Sequence, residues 1–112
     1  MNVQEEEYVT LFCEGDGGVR ITPDGYPRVS FSQKECSVLE YIASLTVGGR
    51  ISPNEDAWKL EFNGSHSMLL LEVFSRHVAG KSFLDRLNKV LGGLSLARQG
   101  LPVWWNSKSA VM

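Results

Sequence analysis

The sequence predicts an α+β fold in which a four-stranded antiparallel sheet, shaped as a saddle, is covered by helices on one face. Two pairs of short segments alternate apolar and polar residues, and each pair is joined by a turn signal. Between and after these pairs, apolar residues recur at helical spacing. The predicted order is α-ββ-α-ββ-α-α in a single domain over residues 1–112, with its core over about 6–95 and a tail over 96–112.

The first unit of this pattern is a helix followed by a hairpin. The apolar run at residues 8–13 predicts a helix over 4–15, and the glycines after it end that helix. Residues 18–22 and 28–32 alternate as strands, and Pro23-Asp24-Gly25 between them is a strong turn signal.

The second unit repeats the helix and the hairpin. Helical spacing of apolar residues predicts a helix over about 35–46, which Gly48-Gly49 stops. A short strand over 50–52 and an alternating strand over 57–62 follow, and we expect Pro53-Asn54-Glu55-Asp56 to form the turn between them.

Two more helices complete the predicted core. Residues 65–79 and 82–95 carry apolar residues at i, i+3 and i+4 spacing, which is typical of helices that cover a sheet. Trp104-Trp105 follows in the tail, and the sequence leaves open whether this pair docks on the body or lies in a frayed end.

Alternation along the strands places polar residues on the face of the sheet that the helices leave uncovered. They are Arg20, Thr22, Arg28, Ser30, Ser32, Arg50, Ser52, Lys59 and Glu61. Plain exposure to water explains such a face, because antiparallel sheets tolerate a solvated side. The composition also suits β-strands in the DNA major groove, where arginine pairs with guanine and short hydroxyls adapt to several bases.

Composition narrows the class of protein. The chain carries a net charge of −2, which argues weakly against nucleic-acid binding, but residues 76–112 hold six basic residues against one acid. No apolar run is long enough to span a bilayer. An acidic Glu5-Glu6-Glu7 replaces the basic start of a secretory signal, and Cys13 and Cys36 are expected to be reduced core residues. We therefore expect an intracellular protein that is not secreted.

The segment Glu14-Gly15-Asp16-Gly17-Gly18 stands out because an apolar helix rarely runs directly into an acid among glycines. A carboxylate fixed at the end of a helix is a suitable ligand for a hard divalent cation. A helix cap with a solvated acid is the simpler interpretation, and the short motif alone does not separate the two.

The wider segment Val9-Thr10-Leu11-Phe12-Cys13-Glu14-Gly15-Asp16-Gly17 resembles the signature of the LAGLIDADG homing endonucleases. The predicted order of elements is similar to the half-unit of that family. Two further features fall in the matching places: Ser32-Gln33-Lys34 at the end of the second strand, and Lys81 after Val78-Ala79-Gly80.

The resemblance implies a role for each matched residue. Asp16 is expected to bind Mg²⁺ or another divalent cation with help from the Gly15 carbonyl. Gln33 is expected to orient solvent near the scissile phosphate, and Lys81 to stabilise charge on that phosphate. Without the resemblance, Gln33 is equally suited to bond the start of the second helix, and Lys81 to be a solvated lysine.

The resemblance also implies partners. Double-stranded DNA is expected on the sheet face, contacted by Arg20, Thr22, Arg28, Ser30, Ser32, Arg50 and Lys59. Because the chain has one signature helix, a homodimer is expected through Tyr8, Leu11, Phe12 and Gly15, with a partly palindromic target. Leu11 and Thr10 replace smaller family residues, which leaves the closeness of the two helices open.

The implied function is site-specific hydrolysis of double-stranded DNA by a metal-dependent homodimer. Such an enzyme serves intron or intein mobility, in an organelle (chloroplast or mitochondrion) or a prokaryotic cytoplasm. Two alternatives stay open. One is a non-cleaving relative, either an RNA-binding intron maturase or a DNA-binding regulator. The other is a binding module without a nucleic-acid role, which the net negative charge favours.

Overall fold

The computed structural model describes residues 1–98 and confirms the predicted order of elements. The elements are α1 (Val3–Asp16), β1 (Gly17–Ile21), β2 (Pro27–Gln33), α2 (Cys36–Leu45), β3 (Arg50–Asn54), β4 (Ala57–Asn63), α3 (Gly64–His77) and α4 (Lys81–Arg98). The predicted tail starts too early, because residues 96–98 still belong to α4. Its remainder, with Trp104-Trp105, lies outside the described residues.

The four strands form one antiparallel sheet in the order β1-β2-β4-β3. Each hairpin contributes its second strand to the centre, so β1 and β3 are the edges. In the central pair, Phe31 is opposite Leu60 and Val29 is opposite Phe62. This register places the apolar sets of both strands on the same face, as the alternation predicts.

The core lies between that face and the four helices. Val29, Phe31, Leu60 and Phe62 are fully buried, and the rings of the two phenylalanines meet edge to face at 6.2 Å. Helices α1, α2 and α3 pack over the central strands, and α4 packs along β1. Trp58 points to the same side but is 38% exposed, since it lies at the start of β4 beyond this cover.

Helix α1 is anchored over its N-terminal turns. Asn2 accepts a hydrogen bond from the Glu5 amide at 2.8 Å, and the Glu5 carboxylate accepts one from the Asn2 amide, which forms a capping box. Further along, the Glu6 carboxylate bonds Arg76 at 3.1 Å and His77 at 2.8 Å, both at the end of α3. These bonds fix the direction in which α1 runs toward the sheet.

The predicted turn over residues 53–56 is wrong by two residues. Pro53 and Asn54 belong to β3, and only Glu55 and Asp56 form the turn, with Glu55 at a φ of 57°. A proline is tolerated here because β3 is an edge strand, where a missing amide donor leaves no neighbour unpaired.

The two cysteines differ. Cys13 is fully buried, and burial raises the pKa of its thiol to about 12. The prediction that Cys36 is a core residue is wrong, since Cys36 is only half-buried and its thiol bonds the Glu40 carboxylate at 3.4 Å. It starts α2, where the first turn is still open to solvent.

Within residues 1–98, no helix combines the length and the apolar character that crossing a bilayer requires.

Candidate active site and nucleic-acid interface

Two of the predicted site residues meet at the end of α1. The side-chain amide of Gln33 donates a hydrogen bond to Asp16 Oδ2 at 3.0 Å, although 17 residues separate them in sequence. Asp16 is the last residue of α1 and Gln33 the last residue of β2. Gln33 therefore does not bond the start of α2, which was the alternative, and it holds the exposed carboxylate of Asp16 in one orientation.

Lys81 is brought to the same end of the molecule by Glu14. The Glu14 carboxylate accepts hydrogen bonds from the amides of Ala79 at 2.9 Å and Gly80 at 3.4 Å. Those amides belong to the loop before α4, whose first residue is Lys81. Lys81 is exposed, and within residues 1–98 its ammonium group makes no hydrogen bond or ion pair, so it is available to a ligand.

The two glycines around Asp16 have different surroundings. A Cβ atom on Gly17 would lie 2.9 Å from Cys13 Sγ and 2.9 Å from the Ser30 carbonyl oxygen, so the chain needs glycine where α1 turns into β1 and passes close to β2. A Cβ atom on Gly15 would meet no atom of the described residues within 4 Å. Gly15 thus presents an open backbone on the outer side of α1.

The donor set at the end of α1 fits a hard cation in part. Magnesium is usually held by one or two carboxylates, waters and substrate phosphates, and Asp16 supplies one such exposed carboxylate. The Gly15 carbonyl lies in the last helical turn, where carbonyls lack an intrahelical donor. Within residues 1–98, no three His, Cys, Asp or Glu side chains cluster as a metal site, so a cation at Asp16 would need further ligands beyond these side chains, such as water or a substrate phosphate.

The outer side of α1 is apolar and exposed. Leu11 is 59% exposed, Tyr8 is 40% exposed, and the Tyr8 ring packs on the rings of Phe12 and Tyr41. Thr10 is fully buried instead, and its hydroxyl donates to the Glu6 carbonyl at 2.8 Å. Of the two residues that replace smaller ones, Leu11 therefore adds bulk on the exposed side of α1, and Thr10 packs inside this chain.

The polar face of the sheet has the composition that the alternation predicts. Three cross-strand rows run over it: Arg20–Arg28–Asn63, Gly18–Ser30–Glu61–Arg50, and Ser32–Lys59–Ser52. Directly opposed residues in an antiparallel pair point to the same side, so all of these residues share one face. Asp16 is two residues before Gly18, so the candidate active site adjoins this face.

Several of these side chains are already held by neighbours. Arg28 Nε donates to Asn63 Oδ1 at 2.7 Å, and Lys59 Nζ lies 2.9 Å from Glu61 Oε2. The Thr22 hydroxyl accepts a bond from the Tyr26 amide at 3.1 Å, so Thr22 shapes the hairpin turn just beyond β1. Arg20 and Arg50 are exposed at the two edge strands.

Two residues of this region were not predicted as site residues. Asn63 lies one residue past the predicted end of β4. Extending the alternation of that strand by one residue would have placed Asn63 on the polar face. Glu14 was named only as part of the signature segment, and no signal in the sequence identifies the distant loop amides that it holds.

Similar folds occur in solved structures of DNA-cleaving enzymes. The LAGLIDADG meganuclease I-AabMI bound to uncleaved DNA superposes with a TM-score of 0.70 at 15% identity, over 89% of this chain and 38% of that one. The homing endonuclease I-TnaI gives 0.64 at 20% identity, over 85% and 74%. The archaeal intron-encoded homing endonuclease I-Vdi141I, complexed with DNA, gives 0.58 at 19% identity, over 85% and 67%.

These likenesses show that the chain has the LAGLIDADG endonuclease fold. At 38% coverage, the chain spans less than half of the I-AabMI chain. Comparisons with protein-family models and with curated proteins give no match.

Proposed function

We propose that this chain is a LAGLIDADG homing endonuclease of the single-motif type, which hydrolyses double-stranded DNA at specific sites as a homodimer with Mg²⁺. The observation that carries the proposal is the hydrogen bond between Gln33 and Asp16. This bond joins two residues that the family resemblance identified in separate segments, and it lies at the edge of the polar sheet face. The solved structures of the same fold with DNA support it.

The residues at the end of α1 suit phosphodiester hydrolysis. A divalent cation on Asp16 would polarise a phosphoryl oxygen and lower the pKa of a bound water. Gln33 donates a hydrogen bond to one oxygen of Asp16, and its amide would orient solvent beside the phosphate. Lys81 would donate to a phosphate oxygen and offset the charge that develops there. Glu14 acts as a positioning residue, because it holds the loop that presents Lys81.

A second copy of the chain would complete the site. The exposed apolar side of α1, with Tyr8, Leu11 and the open backbone at Gly15, suits contact with its symmetry mate. Such a contact would bring two Asp16 carboxylates close together, and a cation between them would relieve their repulsion. Two sheet faces side by side would favour a partly palindromic duplex.

The test combines cleavage with binding. The purified chain is incubated with a randomised duplex library and Mg²⁺, and the ends of the cut molecules are sequenced. We expect Asp16→Asn to abolish cleavage, and Gln33→Ala and Lys81→Ala each to slow it by about 10²-fold or more. Glu72→Gln on α3 is the control, since that exposed acid lies on the far side of the helices and should leave cleavage unchanged.

The outcomes separate the proposal from its alternatives. Duplex that is bound but not cut, with no effect of Asp16→Asn, would indicate a non-cleaving DNA-binding relative. Preference for structured RNA would indicate a maturase. Affinity for random duplex that does not fall with rising salt would exclude a phosphate-contacting surface.

Sedimentation of the wild type and of Leu11→Asp tests the homodimer, which the aspartate should dissociate.

A further inference from the structure

The centre of the polar face holds an ion pair on a single strand. Lys59 and Glu61 are two residues apart on β4, so both point to the polar side. Their backbone positions are separated by about 7 Å along the strand, yet Lys59 Nζ and Glu61 Oε2 lie 2.9 Å apart. The two heads therefore form one compact donor and acceptor unit in the middle of the sheet.

The side chains next to this unit are mostly short. Ser30 and Ser32 are the β2 partners of Glu61 and Lys59, and Ser52 is the β3 partner of Lys59. A groove of about 290 Å³ runs beside Lys59 over Gly18, Ser30 and Ser32, and Arg20 and Asn54 also line it. Arg50 is the one long residue directly opposite either member of the pair, and Arg28 lies close to Glu61 in the next row. On the side of Ser32 and Ser52, a base edge can approach the head of Lys59 past short side chains.

The charges of the pair are fixed at neutral pH. The hydrogen bond from Lys59 holds the pKa of Glu61 below its ordinary value, and the nearby Arg28 guanidinium lowers that pKa further. Glu61 is thus a carboxylate that only accepts hydrogen bonds, and Lys59 is an ammonium group that only donates them. The unit has a defined polarity along β4, with the donor first and the acceptor second.

One base pair matches this polarity best. In the major groove guanine offers two acceptors, O6 and N7, and cytosine offers one donor, N4. Guanine O6 and cytosine N4 are hydrogen-bonded to each other and so lie about 3 Å apart. That separation equals the spacing between the heads of Lys59 and Glu61. A T·A pair keeps the same order but gives lysine a single acceptor beside a methyl group.

We propose that Lys59 and Glu61 together recognise one G·C base pair in each half of the target, with Lys59 on guanine and Glu61 on cytosine. This inference rests on the proposed function, because it requires the polar face to contact duplex DNA. A T·A pair is second in preference. The inverted pairs C·G and A·T are rejected, since each sets a donor against Lys59 or an acceptor against Glu61.

Stability alone does not account for the pair. Lys59 is 33% exposed and Glu61 25% exposed, and ion pairs near the surface contribute little to folding. An acid on a surface that faces phosphates also weakens general DNA binding through repulsion. Glu61 therefore lowers the affinity of this face for DNA unless it selects among base pairs.

The experiment exchanges the two charges. The full-length wild type first selects bound duplexes from a randomised library. Ca²⁺ replaces Mg²⁺ in this step so that bound duplexes stay intact during the selection. Each position of the enriched half-site is then changed to all four pairs, and the affinities of wild type, Glu61→Gln and the double variant Lys59→Glu/Glu61→Lys are measured. Glu72→Gln is the charge-matched control away from the sheet.

The wild type should show one position per half-site where G·C exceeds C·G by about tenfold or more. Glu61→Gln should relax that position alone and tighten binding to random duplex. The double variant keeps the ion pair but reverses its polarity, so its preference should change to C·G at the same position. Glu72→Gln should reproduce the wild-type profile.

Two failures are distinguishable. If the wild type enriches duplexes but the double variant keeps the wild-type preference at every position, the pair is only structural and this inference is wrong while the proposed function stands. If the wild type enriches no duplex at all, the proposed function fails and this inference fails with it. Thermal unfolding of each variant identifies any loss of affinity that comes from misfolding.

Discussion

The two faces of β4 are held by different forces. On one face Leu60 and Phe62 are fully buried against the helices, and their position is set by packing. On the other face Lys59, Glu61 and Asn63 are held by hydrogen bonds and charge, with water nearby. Dense cores penalise changes in volume, whereas a solvated face penalises changes in charge only weakly. The strand thus separates the residues that stabilise the fold from those available for recognition.

The largest effect that tests this comparison is expected from Phe62→Ala. The substitution removes a fully buried ring that packs on Phe31, and it should lower the free energy of unfolding by about 3–5 kcal/mol. Urea denaturation measures it. Lys59→Ala, on the opposite face of the same strand, is the matched control and should cost less than about 1 kcal/mol. Equal losses from the two variants would remove the distinction between the faces.

A second test compares two glycines on either side of Asp16. Gly17→Ala should cost about 1–3 kcal/mol of folding free energy, because its Cβ would press on Cys13 Sγ and the Ser30 carbonyl. Gly15→Ala should leave the stability of the monomer unchanged or raise it by up to about 1 kcal/mol, as replacement of a helical glycine does.

The Gly15 variant also separates folding from assembly. If Gly15 lies at the crossing of two α1 helices, the added methyl group should weaken the dimer although the monomer is stable. Sedimentation over a range of protein concentrations, beside the urea data, measures both quantities. A Gly17→Ala variant as stable as wild type would show that the junction between α1 and β1 relaxes more readily than its close contacts indicate.

The apolar face of the central strands was predictable from the sequence, and the polar face only in outline. Alternation alone placed Val29, Phe31, Leu60 and Phe62 on one side, because the side-chain period of a strand is fixed. Pro53 was misassigned to the turn because the sequence did not show that β3 is an edge strand. Asn63 was missed because the predicted strand ended one residue too early, and its bond to Arg28 depends on the cross-strand register, which alternation within one strand does not give.

The candidate site was predictable by resemblance rather than by spacing. The hairpin register, which pairs Gly17 with Phe31, brings the end of β2 beside the end of α1, but alternation does not show that the side chains of Asp16 and Gln33 bond to each other. The bonds of Glu14 to the loop before Lys81 depend on the packing of α1 against α3 and were not foreseen. Tertiary contacts of this kind have no local signature in the chain.

A third prediction concerns the bond network between α1 and α3. His77 and Arg76 hold the pKa of Glu6 below its ordinary value, so the folded state binds a proton there less readily than the unfolded state. This stabilisation is therefore present above about pH 4.3 and is lost as the pH falls through the folded pKa. Glu6→Gln should lower the melting temperature at pH 7 and have little effect at pH 3, as calorimetry over this range would show. A constant difference at both pH values would place the effect in packing instead.

The smallest effect on stability is expected from Glu61→Gln. The carboxylate pairs with Lys59 at 2.9 Å, but both side chains remain in contact with water, so the loss of unfolding free energy should stay below about 1 kcal/mol. Because the interaction is mainly one of charges, the difference from wild type should shrink as salt rises from 50 mM to 1 M, where the screening length falls to about 3 Å. Urea denaturation at the two salt concentrations measures this. A difference of several kcal/mol that salt does not alter would mean that Glu61 stabilises the fold by packing and not mainly by its charge. A small, screened difference would mean that the charges of this strand can change without loss of the fold, which is the condition for DNA recognition to vary on an unchanged scaffold.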